Sequence, residues 1–299
     1  IALYTRGAEE FLREAALWNP DRVAAWCDIP VEQIEVLARA YGTTKPTAIR
    51  LNYGMQRVAG GADAVRAIMA LPALAGHWRE LSGGAVLSTS GWIPKMDASR
   101  QDVLGARRPR SVNMRASGDA LRATQNPMEA LIVYNSNPVA VAPDSNKVRA
   151  GFAREDLFTV VLEHFQTDTA DYADILLPAT TQLEHFDIHR AYGHMHLLLN
   201  RPAIEPLGQA RSNSRIFREL TQAMRAQLGN ACAELNHAAL DASDAQIANE
   251  AFDWNNVALQ GDTAAKLFEH GHSRYAAPVE GVPPFAQGNF QTPDGKSWF

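Results

Sequence analysis

The sequence predicts an α/β fold of mainly parallel sheets flanked by helices and divided between two lobes, and three observations carry that expectation. Apolar runs of strand length recur at 47–53, 130–134, 157–162 and 173–177. The first run leads through a glycine-bearing loop into a long apolar helix pattern from Ala62 to Leu74, which makes one strand–loop–helix unit. Polar loops follow three of the runs directly: Gly54-Met-Gln56, Asn135-Ser-Asn-Pro138 and Glu163 to Thr169. Open α/β sheets collect ligands at the carboxyl ends of their strands, so these loops are expected to face one cleft.

Taken in order, residues 7 to 42 read as helical. Pro30 suits a first helical turn, Val31, Ile34, Leu37, Ala38 and Tyr41 make a helical stripe, and Gly42 marks a stop. From Ala85 to Gln125 the periodicity dissolves, and Arg107-Arg-Pro-Arg110 reads as a solvated segment in an exposed excursion. Ser145 to Phe152 has a helical pattern. Residues 196–204 form one more strand candidate, and Ser212 to Leu228 a helix with Ile216, Phe217, Leu220 and Met224 on its inner face. Beyond 230 come short helices and an extended, Pro/Gly-rich tail.

The bulk numbers exclude several classes of function. Of 299 residues, 46% are hydrophobic and 20% charged, with 28 basic against 33 acidic side chains. A net charge of −5 gives no electrostatic reason to expect nucleic acid or an anionic membrane as a partner. No apolar run approaches the ~18 residues of a membrane span. Cys27 and Cys232 are too far apart for a zinc or iron–sulfur motif and are expected to be small buried apolar residues. Ile1 is not an initiator residue, so a processed chain or a piece of a longer one is expected.

Glycine and backbone amides in the polar loops can approach phosphate closely, and a carboxylate can accept paired N–H donors from a guanine edge. Read singly, each loop is an ordinary turn; three together point to a nucleotide-like ligand. His185 and His189 would share one face if 184–189 were helical, a metal-gripping spacing. The segment is not His-Glu-x-x-His, however, and Ala191-Tyr-Gly193 follows at once, so a cleft-lining loop is the better reading.

Thr167-Asp-Thr-Ala-Asp-Tyr-Ala-Asp-Ile-Leu-Leu-Pro178 closely resembles the T-x-T-A-x-x-A-D-x-x-L-P signature of the molybdopterin oxidoreductase family. This is the dimethyl sulfoxide reductase and formate dehydrogenase superfamily. Tyr53-Gly-Met-Gln56 with Gly60-Gly61 resembles the family's strand–glycine–helix unit, and Tyr134-Asn-Ser-Asn-Pro138 its N-x-N-P loop. Ala75-Gly-His-Trp78 and Gly83-Gly84 follow its T-G-N…G-G-G element, with Ala75 and His77 as departures. Phe290 to Lys296 resembles the segment leading to the family's final barrel.

The resemblance implies a central fragment of a four-domain catalytic subunit. Residues 1–125 would be the later part of a Rossmann-like domain, 126–230 the guanine-binding half of a second α/β domain, and 231–299 an extension toward a carboxy-terminal barrel. It also implies a bis-molybdopterin guanine dinucleotide cofactor carrying molybdenum or tungsten. By this likeness the metal ligand and any iron–sulfur cluster lie in an amino-terminal segment outside the chain, so none of its residues is expected to be catalytic. The intact enzyme would act on a small-molecule substrate with a redox partner protein, and the chain alone would be inactive.

Residue by residue, Glu163 and Thr167 stand where relatives hold the guanine end, with Glu one methylene longer than the usual Asp. Gly54, Met55 and Gln56 match a loop along the other face of the cofactor. Asn135, Ser136, Asn137 and Pro138 match a loop near the guanosine phosphates. On this reading His185 and His189 contribute little to cofactor binding. The R-G-Q-N-N element of formate dehydrogenases is replaced by Leu87-Ser-Thr-Ser-Gly91, which counts against formate as substrate. The competing reading is a non-catalytic purine-nucleotide-binding α/β protein, with a zinc hydrolase using His185 and His189 a distant third.

Overall fold

The computed structural model describes residues 3–88, 110–190, 194–276, 283 and 285–299. Contacts divide the chain into two compact units. One comprises Ile1–Ile93, Tyr192–Met195 and Tyr275–Phe299; the other comprises Pro94–Ala191 and His196–Arg274.

The first unit opens with β1 (Thr5–Arg6), α1 (Ala8–Ala16), α2 (Pro20–Cys27) and α3 (Val31–Thr43). Asn19 caps α2 by accepting a hydrogen bond from the Arg22 amide, with Pro20 in the first turn, where a missing N–H is harmless. Helix α3 runs through Gly42 to Thr43, so that glycine is not the stop. The helix ends because Thr44 turns extended, ahead of Pro46, which disfavours helix at the residue before it. Cys27 is exposed and Cys232 only half-buried, against the expected burial. The reason for Cys27 is local: α2 buries none of its residues, and its neighbour Trp26 is 78% exposed.

Next come β2 (Ala48–Arg50), a tight turn at Tyr53–Gln56, α4 (Gly61–Ala75) and β3 (Gly84–Val86), which pairs parallel with β2. Glycine is required at 61, where a Cβ would meet the Met55 carbonyl and come within 2.9 Å of Gln56 Cα. This close approach seats the Gly54-Met-Gln56 turn on the start of α4. Arg107 to Pro109 and most of the expected excursion lie outside the described residues, whereas Arg110 donates to the Asn126 carbonyl at 2.8 Å.

The second unit is built on a three-stranded parallel sheet ordered β4 (Ala130–Tyr134), β5 (Phe158–Glu163) and β6 (Ile175–Pro178). Helices α5 (Ser117–Leu121), α6 (Pro138–Val141) and α7 (Ser145–Phe152) supply its cover. Leu121, Val133, Val139, Val148, Phe152, Leu157, Val161 and Ala170 form the core. Only the middle strand is well buried. The edge strands keep Ile132 44% and Leu176 47% exposed, which corrects the expectation that all the strands are buried. The cause is the narrow sheet: two of its three strands are edges.

A second sheet, antiparallel, is ordered β7 (Asp187–Arg190), β8 (His196–Asn200) and β9 (His272–Arg274). Strand β8 realises the first part of the 196–204 expectation; Pro202 cannot donate to a ladder and lies beyond its end. Helix α8 (Asn213–Leu228) is capped by Ser212, whose hydroxyl accepts from the Arg215 amide. Of its expected inner face, Ile216 is buried and Phe217 stacks edge-on against Tyr134 at 5.4 Å, but Leu220 and Met224 are exposed. Short helices α9 (Asp244–Glu250) and α10 (Ala264–His270) precede β9. The chain then returns to the first unit, where β10 (Ser297–Trp298) pairs parallel with β1.

Candidate functional site

A cavity of about 410 Å³ opens in the second unit at the carboxyl ends of its parallel strands. Asn135 follows β4, His164 follows β5 and Thr180 follows β6; all three line it. The opposite wall is Asn213 and its neighbours Ser212 and Ser214, at the amino end of α8. His185, Asp187 and His189 complete it from the β7 side. Small-molecule sites typically occupy about 300–1,000 Å³, so the size fits a ligand.

Asn135 has a left-handed backbone, φ 52, which asparagine tolerates better than most residues. That bend turns its side chain to accept from Asn213 Nδ2 at 3.1 Å, across 78 positions of sequence. Asn213 Oδ1 is buried and has no hydrogen-bond partner among the described residues. A buried acceptor left without a donor costs on the order of 1–3 kcal/mol, so this atom stands out among the polar groups of the residues around the cavity.

Beside it, a short chain of hydrogen bonds holds the histidines. His164 Nε2 donates to the Thr180 carbonyl at 2.8 Å, and the Thr180 hydroxyl lies 3.0 Å from His185 Nδ1. His185 Nε2 is 4.0 Å from an Asp187 carboxylate oxygen. Buried Glu184 staples the wall from behind: its carboxylate accepts from the Thr181 amide and hydroxyl at 2.7 and 2.9 Å, and from the Leu207 amide at 2.7 Å. Those donors, the Thr181 and Leu207 amides foremost, hold its carboxyl below the ordinary 4.5. A depressed folded value means a stabilisation fully present above the unfolded value and lost as pH falls through the folded one. Thermal melts of the purified chain below pH 4.5 should therefore show an acid loss that Glu184→Gln lacks. Identical acid profiles would show that Glu184 is not a staple.

The residues singled out in the sequence take varied places. Asn135 is in the cavity lining, whereas Ser136 is exposed. Asn137 binds the neighbouring loop instead: its Oδ1 accepts from the Thr169 hydroxyl at 2.7 Å and the Thr169 amide at 3.1 Å. Its Nδ2 donates to Asp168 at 3.1 Å, so the 135–138 and 163–169 loops are joined. Pro138 opens α6. Glu163 is half-buried and accepts from the His164 amide at 2.7 Å; Thr167 accepts from the Ala170 amide at 3.3 Å. Gly54, Met55 and Gln56 are exposed and belong to the other unit.

Sequence reasoning missed His164 and Asn213, whereas His185 and His189, expected to line a cleft rather than to grip a metal, are both in the cavity lining. An asparagine directly after a helix-capping serine was the available signal for Asn213. His185 precedes β7 and His189 lies within it, so the pair does not share a helical face. Among the described residues no group of three or more His, Cys, Asp or Glu converges as a metal site would require. No helix among them is long and apolar enough to cross a membrane.

Residues 10–223 match the family model described as molybdopterin oxidoreductase. The chain belongs to the molybdopterin oxidoreductase family. It is 42% identical over 226 residues to the probable oxidoreductase YoaE of Bacillus subtilis, covering 75% of this chain and 33% of that protein. With the dimethyl sulfoxide/trimethylamine N-oxide reductase of Cereibacter sphaeroides it shares 27% identity over 253 residues, 74% of this chain and 30% of the relative. The chain thus spans about a third of the length of these relatives. Acetylene hydratase from Pelobacter acetylenicus has a similar fold, with a TM-score of 0.69 at 17% identity, covering 99% of this chain and 44% of that one. Membership of this family implies a molybdopterin cofactor with molybdenum.

Proposed function

We propose that this chain supplies part of the cradle for a molybdopterin guanine dinucleotide in a molybdenum or tungsten oxidoreductase. The observation that carries the reading is the cavity at the strand ends of the second unit, with Asn213 in its lining and the Oδ1 of that residue without a hydrogen-bond partner among the described residues. A guanine edge presents N–H donors, which is what that atom lacks, so the residues fit a guanine nucleotide. Asn135, Ser136, Asn137 and Pro138 form the loop beside the nucleotide, with Glu163 and Thr167 on the neighbouring loop. Gly54, Met55 and Gln56 are included as cofactor-binding residues on the strength of the family motif alone.

When bound, the cofactor supplies the redox chemistry, an oxygen-atom or a hydride and electron transfer; the protein supplies position and electrostatics. The second unit's part is to orient the nucleotide: Asn213 accepts from the base, Asn135 fixes the Asn213 amide, and the Thr180–His185 contact shapes the wall. No residue of the chain is assigned to the reacting atoms, and the chain by itself is expected to be catalytically silent. Small-molecule substrate and redox partner are matters for the intact protein.

Cofactor loading of the intact protein tests the assignment of the 163–169 loop. If Glu163 accepts N–H donors from guanine, Glu163→Ala leaves them unpaired and lowers affinity about 5- to 150-fold, a cost of about 1–3 kcal/mol. Thr167→Val removes one hydroxyl and costs less. Molybdenum and guanine content should fall in that order, and full loading of Glu163→Ala would remove Glu163 from the site. Absence of molybdenum from the wild-type intact protein, with guanine nucleotide bound, would favour the non-catalytic nucleotide-binding reading.

A further inference from the structure

The first unit has a cavity of its own, of about 190 Å³, that shares no lining residue with the strand-end cavity. It lies against the last turn of α4, a helix of 15 residues. That places it about 20 Å along the helix from the Gly54-Met-Gln56 turn, which sits at the other end. Four aromatic side chains line the cavity: Tyr4, Trp78, Phe285 and Phe290. The Phe285 and Phe290 rings stack with centroids 4.4 Å apart, and Trp78 meets both edge-on, at 5.1 and 6.0 Å. Glycine at 84 permits this arrangement, because a Cβ there would come within 2.5 Å of the Trp78 ring.

Among the described residues, Arg79 is the only charged side chain in the lining. Its guanidinium lies over the Tyr4 ring, 4.9 Å from the centroid, with no acidic partner or hydrogen-bond acceptor among the described residues. The adjacent Glu80 is taken by Lys45 at 3.5 Å. A guanidinium set against a ring keeps its in-plane N–H donors for a carboxylate. The last turn of α4 contributes about half a negative charge, less than the full positive charge of Arg79, so the balance favours an anion. Size narrows the choice further. A cavity of about 150 Å³ with apolar walls accepts benzene, whereas sites for larger ligands run to about 300–1,000 Å³. We propose that this cavity is a separate binding site for a single-ring aromatic carboxylate. The ring is held by Trp78, Phe285 and Phe290, and the carboxylate by Arg79.

Titration of the purified chain with benzoate, followed by backbone amide NMR, tests this. Benzyl alcohol serves as the ring without the charge, and acetate as the charge without the ring. Benzoate should shift the amides of Trp78, Phe285 and Phe290 saturably, benzyl alcohol should bind there about tenfold more weakly, and acetate should give no saturable shift. Arg79 is exposed, so Arg79→Gln should fold as the parent does. That variant should bind benzoate about tenfold more weakly while its affinity for benzyl alcohol stays within about twofold. Three results each overturn the inference: no benzoate shift at those amides, benzyl alcohol binding as tightly as benzoate, or unchanged benzoate affinity in Arg79→Gln. None of them bears on the nucleotide reading, which concerns the other unit.

Discussion

Asn213→Ala is expected to lower the affinity of the second unit for a guanine nucleotide about 5- to 150-fold while leaving the fold intact. Its side chain is the acceptor with no internal partner and, through Nδ2, the group that pairs with Asn135. Loss of a ligand hydrogen bond in a buried setting costs about 1–3 kcal/mol, which sets the range. Helix α8 should be unaffected, because its cap is the Ser212 hydroxyl and alanine favours helix. Equilibrium titration with GDP-mannose, paired with a thermal melt, separates the two effects. A variant that binds as tightly as the parent would take Asn213 out of the site. One that unfolds would show its role to be structural.

The largest stability effect is expected at Phe152. This side chain closes α7, is 4% exposed and packs in the core beneath the parallel sheet, with its ring 6.2 Å from Tyr172. Truncating a buried phenylalanine to alanine removes its transfer free energy and leaves a cavity, together about 3–5 kcal/mol. Val36→Ala, at a position 68% exposed on α3, should stay within about 0.5 kcal/mol. Urea unfolding of both variants checks the contrast; equal midpoints would mean that this cluster does not hold the second unit together.

Much of the fold was legible because its elements are local and strongly patterned. The run at Ala130–Tyr134 and the helix at Ser145–Phe152 stand where apolar spacing put them, and α4 and α8 differ from expectation by a residue at their ends. Strands β7 and β9 escaped notice because each is short and polar, and β9 in addition exists only by pairing with distant β8. The exposure of Cys27 was hidden for a related reason: burial depends on what packs against a helix, and α2 has little cover.

The site divides along the same line. Loops following strands are readable from glycine, asparagine and proline, which is how Asn135 emerged, and the family signature at 167–178 drew attention to Glu163 and Thr167. Asn213 could not emerge that way, since it meets Asn135 from 78 positions away and only tertiary structure joins them. His164 and His185 are joined through Thr180, once by its carbonyl and once by its hydroxyl, an arrangement no spacing rule encodes.

The central claim is that the strand-end cavity of the second unit holds the guanine end of the cofactor. Backbone amide NMR of the purified chain, titrated with GDP-mannose, tests it most directly. The account predicts saturable shifts concentrated at Asn135, His164, Thr180, His185 and Asn213. A titration that left those amides unmoved, while shifting residues around the cavity of about 190 Å³ beside Trp78 in the first unit, would contradict it.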